Sequence, residues 1–162
     1  MALDPSCCGD TAPAENDLVI HHRNYKAELT DELYAKLLFK DLDFTFYDNI
    51  LREIISSSEG PPETVWIVGE FDEDDALVTR LQVEHKNIRK AKNVDNQFNA
   101  FCFLMRAQRL VMAHSTFSWW SAFLGNATEV HFPLQNRGVT TAQVAVTDEP
   151  RYVYRDARGK RV

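Results

Sequence analysis

Short apolar runs alternate along this chain with segments whose apolar residues recur every three or four positions. An almost wholly apolar run of about four to eight residues is typical of a buried strand. The runs that predict strands lie at 18–23, 64–68, 110–113 and 128–132. Shorter extended segments are predicted at 138–147 and 152–154. The basic stretch 85–92 has one aliphatic strand-former, Ile88, and is interpreted as either a short edge strand or a loop.

Helical spacing fills the intervals between these runs. The clearest case is 45–56, where Phe46, Ile50, Leu51 and Ile54 fall on one face of a helix. Other helices are predicted from Thr30 onward, from 72–75 onward, over 95–108 and over 119–124. Strands that alternate with helices indicate a parallel sheet. We therefore expect an α/β fold with a Rossmann-like, doubly wound, mostly parallel sheet flanked by helices. It would form a single domain over 17–162, behind a disordered or loop-like tail at 1–16.

The composition is that of a domain with a substantial core and an acidic surface. The 162 residues suit one domain, 44% of them are hydrophobic, and the net charge is −6. An acidic balance argues against a nucleic-acid-binding surface. No apolar run approaches the roughly 20 residues that span a bilayer, and residues 1–15 lack the pattern of a signal peptide. We expect a protein that is cytoplasmic or soluble as given, with a Golgi-lumen location if the chain is a fragment of a longer one.

The three cysteines do not form a recognisable framework. Cys7 and Cys8 are adjacent and have no second pair to complete a zinc site. Cys102 lies in an apolar run and is expected to be a buried thiol. This usage fits a reducing compartment, while a link from Cys7 or Cys8 to another chain stays open.

Polar residues follow three of the predicted strands at the point where each strand ends. They are His21 to Arg23, Gly69-Glu70 and His114 to Thr116. The carboxyl ends of parallel strands meet at one edge of a sheet, and such sheets bind ligands there. We therefore expect a ligand site built from these segments. His21 and His22 are neighbours on a strand, point to opposite faces and could not both hold one ion, so we predict no metal.

The third segment has the features of an anion site. Ser115, Thr116 and Ser118 stand between a predicted strand and a short helix. Backbone N–H groups at a helix N-terminus lack intrahelical partners and attract phosphate, and the hydroxyls would add donors. A simple helix cap by Ser115 or Thr116 is the alternative interpretation. Trp119 and Trp120 are expected to pack the helix against the sheet, since large aromatics are mainly core residues.

Four other side chains have two interpretations each. The Arg23 guanidinium suits a phosphate, because its planar fork donates two parallel hydrogen bonds, but a surface ion pair is the alternative. His114 either touches the ligand or is a hydrogen-bonded histidine at a strand end. Glu70 and Asp72 either accept hydrogen bonds from a guanine base or begin an acidic helix turn.

Two motifs carry a family resemblance. The sequence Ser-Thr-Phe-Ser-Trp-Trp-Ser-Ala-Phe-Leu at 115–124 resembles the signature of family 11 glycosyltransferases, the α-1,2-fucosyltransferases and their relatives. His-His-Arg at 21–23 is similar to the His-x-Arg that opens another motif of that family, whose next residues, Arg-Gly-Asp, are replaced here by Asn24-Tyr25-Lys26. The resemblance covers about 17–135. It implies the nucleotide-sugar-binding half of a GT-B-like fold, with GDP-fucose as the donor.

The resemblance also implies an activity, which is inverting transfer of the sugar to a glycan hydroxyl without a metal or other cofactor. Arg23 would be the catalytic residue at the donor phosphates. Together with the strand-end positions, this gives the expected donor-binding set of His21, Arg23, Glu70, His114, Ser115, Thr116 and Ser118. Family members usually have a second half that helps to bind the acceptor, so a missing companion domain or a homo-oligomer is expected. A non-catalytic nucleotide- or carbohydrate-binding or interaction domain derived from a glycosyltransferase is the alternative function.

Overall fold

One parallel sheet organises the computed structural model, which describes residues 12–36, 41–57, 60–91, 94, 96–134 and 149–162. The strands in these residues are β1 (Leu18–His21), β2 (Val65–Val68), β3 (Ile88–Lys90), β4 (Arg109–Val111), β5 (Glu129–Pro133) and β6 (Tyr152–Arg155). Their order across the sheet is β3-β2-β1-β4-β5-β6, and every neighbouring pair is parallel. The order reverses between β1 and β4, as in doubly wound Rossmann-like sheets. The expected α/β fold class is thus confirmed.

The helices of the described residues are α1 (Tyr25–Glu28), α2 (Asp31–Lys36), α3 (Phe44–Ile55), α4 (Ala76–Glu84), α5 (Gln97–Met105) and α6 (Thr116–Leu124). The four longer ones begin after a short polar side chain that accepts a backbone N–H of the first turn. These N-caps are Asp43, Asp75, Asn96 and Ser115. Such caps satisfy N–H groups that have no partner within the helix. As a result, α4 begins after the acidic run predicted to open it, and α6 begins earlier than predicted.

Helices cover both faces of the sheet, as strands that are apolar along their whole length require. On one face, α3 and α4 bury residues such as Phe46 and Leu51 against β1, β2 and β3. On the other, α5 and α6 bury residues such as Leu104 against β1, β4 and β5. Trp119 packs against this second cluster, whereas Trp120 is 49% exposed. The prediction that both tryptophans pack against the sheet is therefore wrong for Trp120.

A buried arginine ties the last strand to α3. Arg155 is 1% exposed and its guanidinium donates to both carboxylate oxygens of Glu53, with 3.0 Å between Nη2 and Oε1. Its Nε donates to His131 Nδ1 at 3.0 Å. Because His131 accepts at Nδ1, its proton must sit on Nε2, which lies 3.2 Å from Glu129 Oε1. Burial lowers the pKa of His131, which keeps the ring neutral and able to accept this bond.

Two further sequence predictions have an outcome here. The basic stretch 85–92 contains the edge strand β3, so the strand alternative is confirmed. Cys102 is buried on α5, as predicted, but it is disulfide-bonded and not a free thiol. Since disulfides persist in oxidising environments, the cysteines no longer argue for a reducing compartment. The predicted extended segment 138–147 lies outside the described residues, as does 1–11 of the predicted tail.

Candidate functional site

A cavity of about 460 Å³ opens at the carboxyl ends of β1 and β2. One wall comes from the strand ends, with His21 and Arg23 at the end of β1 and Val68 to Glu70 at the end of β2. The other wall comes from the loop before α5 and the first turns of α5 and α6. Its residues are Val94, Asn96, Gln97, Ala100 and Phe117. Two of the three polar strand ends identified in the sequence therefore meet at this cavity. His114 to Thr116 are not among the described residues that line it, and only the residue after them, Phe117, is.

The loop that carries Arg23 is fastened to its surroundings on both sides. The Arg23 guanidinium carbon lies 5.0 Å from the centroid of the Tyr25 ring. The Tyr25 hydroxyl donates to the backbone oxygen of His114 at 2.7 Å, which joins the end of β1 to the end of β4. Tyr25 therefore links the loop of Arg23 to the segment before α6.

Asp75 holds the same loop from the side of α4. Its carboxylate oxygen Oδ2 accepts from Asn24 Nδ2 at 3.2 Å and lies 3.5 Å from His22 Nε2. Burial alone would raise the pKa of Asp75, but the backbone N–H of Val78 and the neighbouring His22 stabilise the carboxylate, and the net effect is a lowered pKa. Asp75 thus stays ionised while it caps α4 and anchors both neighbours of Arg23.

His21 gives the cavity a buried, neutral hydrogen-bonding atom. It is 3% exposed, and its Nδ1 has no hydrogen-bond partner in the part of the chain that the structure describes. Burial and, to a smaller extent, the charges of Arg23 and His22 together lower its pKa to about 3. Its ring lies 5.7 Å from that of Phe117, centroid to centroid. At neutral pH this imidazole can accept or donate one hydrogen bond without carrying charge.

Two of the three hydroxyls at the start of α6 make local hydrogen bonds. Ser115 Oγ accepts from the backbone N–H of Phe117 at 3.2 Å, which is the capping interpretation. Ser118 is buried and its Oγ donates to backbone oxygens of Ala113 and Ser115. Thr116 is exposed. The structure therefore shows Ser115 as a cap, and a direct role of these hydroxyls in donor binding stays a prediction.

Glycine at position 69 lets the ends of β1 and β2 approach each other. A Cβ atom on Gly69 would come 2.0 Å from the backbone oxygen of His22, so any other residue would push the two strand ends apart. The next residue, Glu70, is exposed and lines the cavity. It also lines a neighbouring acidic hollow of about 480 Å³ with Asp72 and Asp74.

Sequence reasoning missed the wall that α5 contributes. Asn96, Gln97 and Ala100 were interpreted only as parts of a helix, although an Asn ahead of an apolar helix is a recognisable start signal. In a parallel sheet the helix that leads into a strand begins at the edge where the strands end. The cap at Asn96 could therefore have placed α5 at the site. Among the described residues, no group of three or more His, Cys, Asp or Glu side chains comes together in a way that could hold a metal.

The assembled site has a charged part and a neutral part. Arg23 and the first turn of α5 can hold an anion, because a guanidinium and free helix N–H groups both favour negative charge. His21, Phe117 and Ala100 form a neutral wall beside them. None of the described helices is long and apolar enough to cross a membrane. Comparisons of the chain with protein-family models, with curated proteins and with solved structures gave no match.

Proposed function

We propose that this domain binds a nucleoside diphosphate sugar, with GDP-fucose as the expected donor, and transfers the sugar to a glycan hydroxyl with inversion. The observation that carries the proposal is that Arg23 and the first turns of two helices surround one cavity at the carboxyl ends of β1 and β2. The resemblance of 21–23 and 115–124 to family 11 glycosyltransferases supports the choice of donor.

The diphosphate is assigned to the side of the cavity that Arg23 and α5 form. A guanidinium can donate two parallel hydrogen bonds to phosphate oxygens, and the N-terminal N–H groups of α5 add partial positive charge. Among the described residues that line the cavity, Arg23 is the one cationic side chain; the others are Glu70 and uncharged residues. The cavity volume of about 460 Å³ falls within the roughly 300–1,000 Å³ of small-molecule sites.

The nucleoside is assigned to the neutral wall. Phe117 offers an aromatic surface, and His21 offers a ring nitrogen that burial keeps uncharged. Glu70, Asn96 and Gln97 offer hydrogen-bonding groups at the rim. Such a mixture of apolar surface with a few polar groups is typical of sites that orient a base or a sugar.

In the proposed reaction, the acceptor hydroxyl attacks the anomeric carbon from the face opposite the diphosphate. The bond between the anomeric carbon and the β-phosphate oxygen breaks, and GDP departs with the bonding electrons. Arg23 would stabilise the negative charge that develops on the departing phosphate, an interaction that strengthens in the transition state. The acceptor and the base that takes its proton are expected from a companion domain or a second copy of the chain.

Isothermal titration with GDP, GDP-fucose, UDP and ADP tests the binding step. Arg23→Ala should raise the dissociation constant for GDP by about 10- to 100-fold, which corresponds to the loss of one or two charge-assisted hydrogen bonds. Arg89→Ala is the matched control, because Arg89 is exposed on the edge strand β3. This substitution removes the same charge at a position outside the cavity. Absence of binding by any nucleoside diphosphate, or an equal effect of both substitutions, would refute the proposal.

A non-catalytic binding module is the second candidate. The observation in its favour is that Asn24-Tyr25-Lys26 stands where the family that the sequence resembles has Arg-Gly-Asp. Asn24 donates to Asp75 and so does not replace a second phosphate-binding arginine. Release of GDP from GDP-fucose, measured with and without glycan acceptors, separates the candidates: binding without release favours the module, and acceptor-dependent release favours the enzyme.

A further inference from the structure

Arg23 sits on a loop whose backbone is pinned one residue to either side. His22 and Asn24 both meet the Asp75 carboxylate. The residue after Asn24, Tyr25, donates its backbone N–H to Asp41 Oδ1 at 2.7 Å. These contacts fix where the Arg23 backbone lies, but they do not themselves orient its long side chain, since an arginine carries several rotatable bonds.

Tyr25 contacts the guanidinium directly. Its ring lies under the Arg23 guanidinium at 5.0 Å, within the range of a cation–π contact. Its hydroxyl is fixed at 2.7 Å by the backbone oxygen of His114, at the end of β4. A ring held at both the backbone and the hydroxyl is a rigid platform. It favours the orientations in which the guanidinium stays beside the cavity.

We propose that Tyr25 is a positioning residue that orients Arg23 toward the diphosphate, an inference that rests on the proposed function. The aromatic face attracts the cation, and the bond to His114 couples the orientation of Arg23 to the end of β4, where α6 begins. An arginine held in place loses less side-chain entropy when it binds a phosphate, so the platform raises affinity for the diphosphate without touching it. Tyr25 then acts through Arg23 and has no contact of its own with the donor.

Two substitutions separate the two contacts. Tyr25→Phe keeps the ring and removes the bond to His114, whereas Tyr25→Leu also removes the aromatic face. We expect Tyr25→Phe to weaken GDP by about two- to fivefold and Tyr25→Leu by about five- to tenfold, the range of a cation–π contact together with one lost hydrogen bond. Tyr152→Phe is the matched control, because Tyr152 is a buried tyrosine on β6 that does not line the cavity.

The readout that distinguishes positioning from a structural role is the comparison of GDP with guanosine, combined with a double-mutant cycle. If Tyr25 acts through Arg23, its variants weaken GDP while guanosine, which has no phosphate, is unaffected. In the Arg23→Ala background, Tyr25→Phe should then cause no further loss, since coupled residues are not additive. The δ-protons of Arg23 should also lose an upfield ring-current shift in Tyr25→Leu.

The possible failures are distinct from one another. If wild-type protein binds no nucleoside diphosphate, the proposed function fails and the inference fails with it. If wild-type protein binds GDP but the Tyr25 variants weaken GDP and guanosine equally, the residue is merely structural. If the effects of Tyr25→Phe and Arg23→Ala add, or if Tyr25→Phe and Tyr25→Leu both bind GDP as wild type does, the positioning inference alone is refuted.

Discussion

The buried imidazole of His21 should make this protein lose stability between pH 7 and pH 5. The folded state holds this ring neutral, with a pKa of about 3, whereas the same ring has a pKa of 6.5 once it is exposed to water. Between these two values the unfolded chain binds a proton that the folded chain does not. The free energy of unfolding therefore falls as the pH is lowered through this window.

The size of the effect follows from the two pKa values. Each pH unit below 6.5 removes about 1.4 kcal/mol, so the loss at pH 5 is about 2 kcal/mol. This is a large share of a total stability of about 5–15 kcal/mol. The carboxylates with lowered pKa values are Asp48, Glu53, Asp75 and Glu129. Their contributions are lost below about pH 4.5, outside this window. His131, whose pKa burial also lowers, adds to the loss inside it.

Urea unfolding of wild type and His21→Asn at pH 7 and pH 5 measures the contribution. Asparagine does not titrate, so the variant should lose about 2 kcal/mol less than wild type over this interval, whatever its stability at pH 7. Above pH 7 the free energies of unfolding of wild type and His21→Asn should change with pH in the same way, which is an internal control. Direct titration of the His21 ring by NMR should show no protonation between pH 8 and pH 5. A midpoint near 6.5, or equal losses in both proteins, would show the reasoning to be wrong.

Three other substitutions, two of them with a control variant, test the local structure by urea unfolding. Asp17→Ala removes a buried carboxylate that accepts three hydrogen bonds and should cost about 2–4 kcal/mol; a loss under about 0.5 kcal/mol would contradict this. Gly69→Ala should cost several kcal/mol of stability and weaken GDP binding, because the new Cβ would lie 2.0 Å from a backbone oxygen. Gly60→Ala is its control: a Cβ there meets no atom within 4 Å, so this variant reports the backbone cost alone. Equal losses in these two variants would refute the steric argument. Ser115→Ala should cost about 1 kcal/mol as a lost cap, whereas Thr116→Ala, at an exposed position, should be nearly neutral, and the reverse order would contradict the capping geometry.

Much of the fold could be predicted from the sequence, because the strands are buried on both faces. The runs at β1, β2 and β4 are short, apolar and free of helical spacing, and each lies within a residue or two of its prediction. Helix starts were harder to place, since several acidic or hydroxyl residues compete for one cap. At α4, Asp72, Asp74 and Asp75 are all possible N-caps. The cap is the residue whose carboxylate accepts the N–H groups of Leu77 and Val78. That is Asp75, the same residue that holds the loop of Arg23.

The site was only partly predictable, for a related reason. Residues at strand ends can be assigned to one edge from topology alone, which brought His21, Arg23 and Glu70 together correctly. The use of a hydroxyl cannot be assigned in this way, because a cap and a ligand donor have the same sequence pattern. Ser115 and Ser118 bond to their own turn, and the wall residue of that turn is Phe117. The positioning role that we propose for Tyr25 depends on a contact with His114 across 89 positions, which no local pattern indicates.

The loop after β1 also restricts how this sheet can recognise phosphate. In dinucleotide-binding domains of the same strand order, a glycine-rich turn at this point lets the backbone approach the pyrophosphate. Here the turn is His22-Arg23-Asn24-Tyr25, without glycine, and three of its side chains are fastened to Asp75 or to His114. The glycine stands instead after β2, where it accommodates the backbone oxygen of His22 rather than a ligand. In the function we propose, the Arg23 guanidinium therefore takes the place of a backbone cradle. Such a site would favour a ligand whose diphosphate is reached from one side, and it would disfavour NAD-like dinucleotides, which need close approach of the backbone.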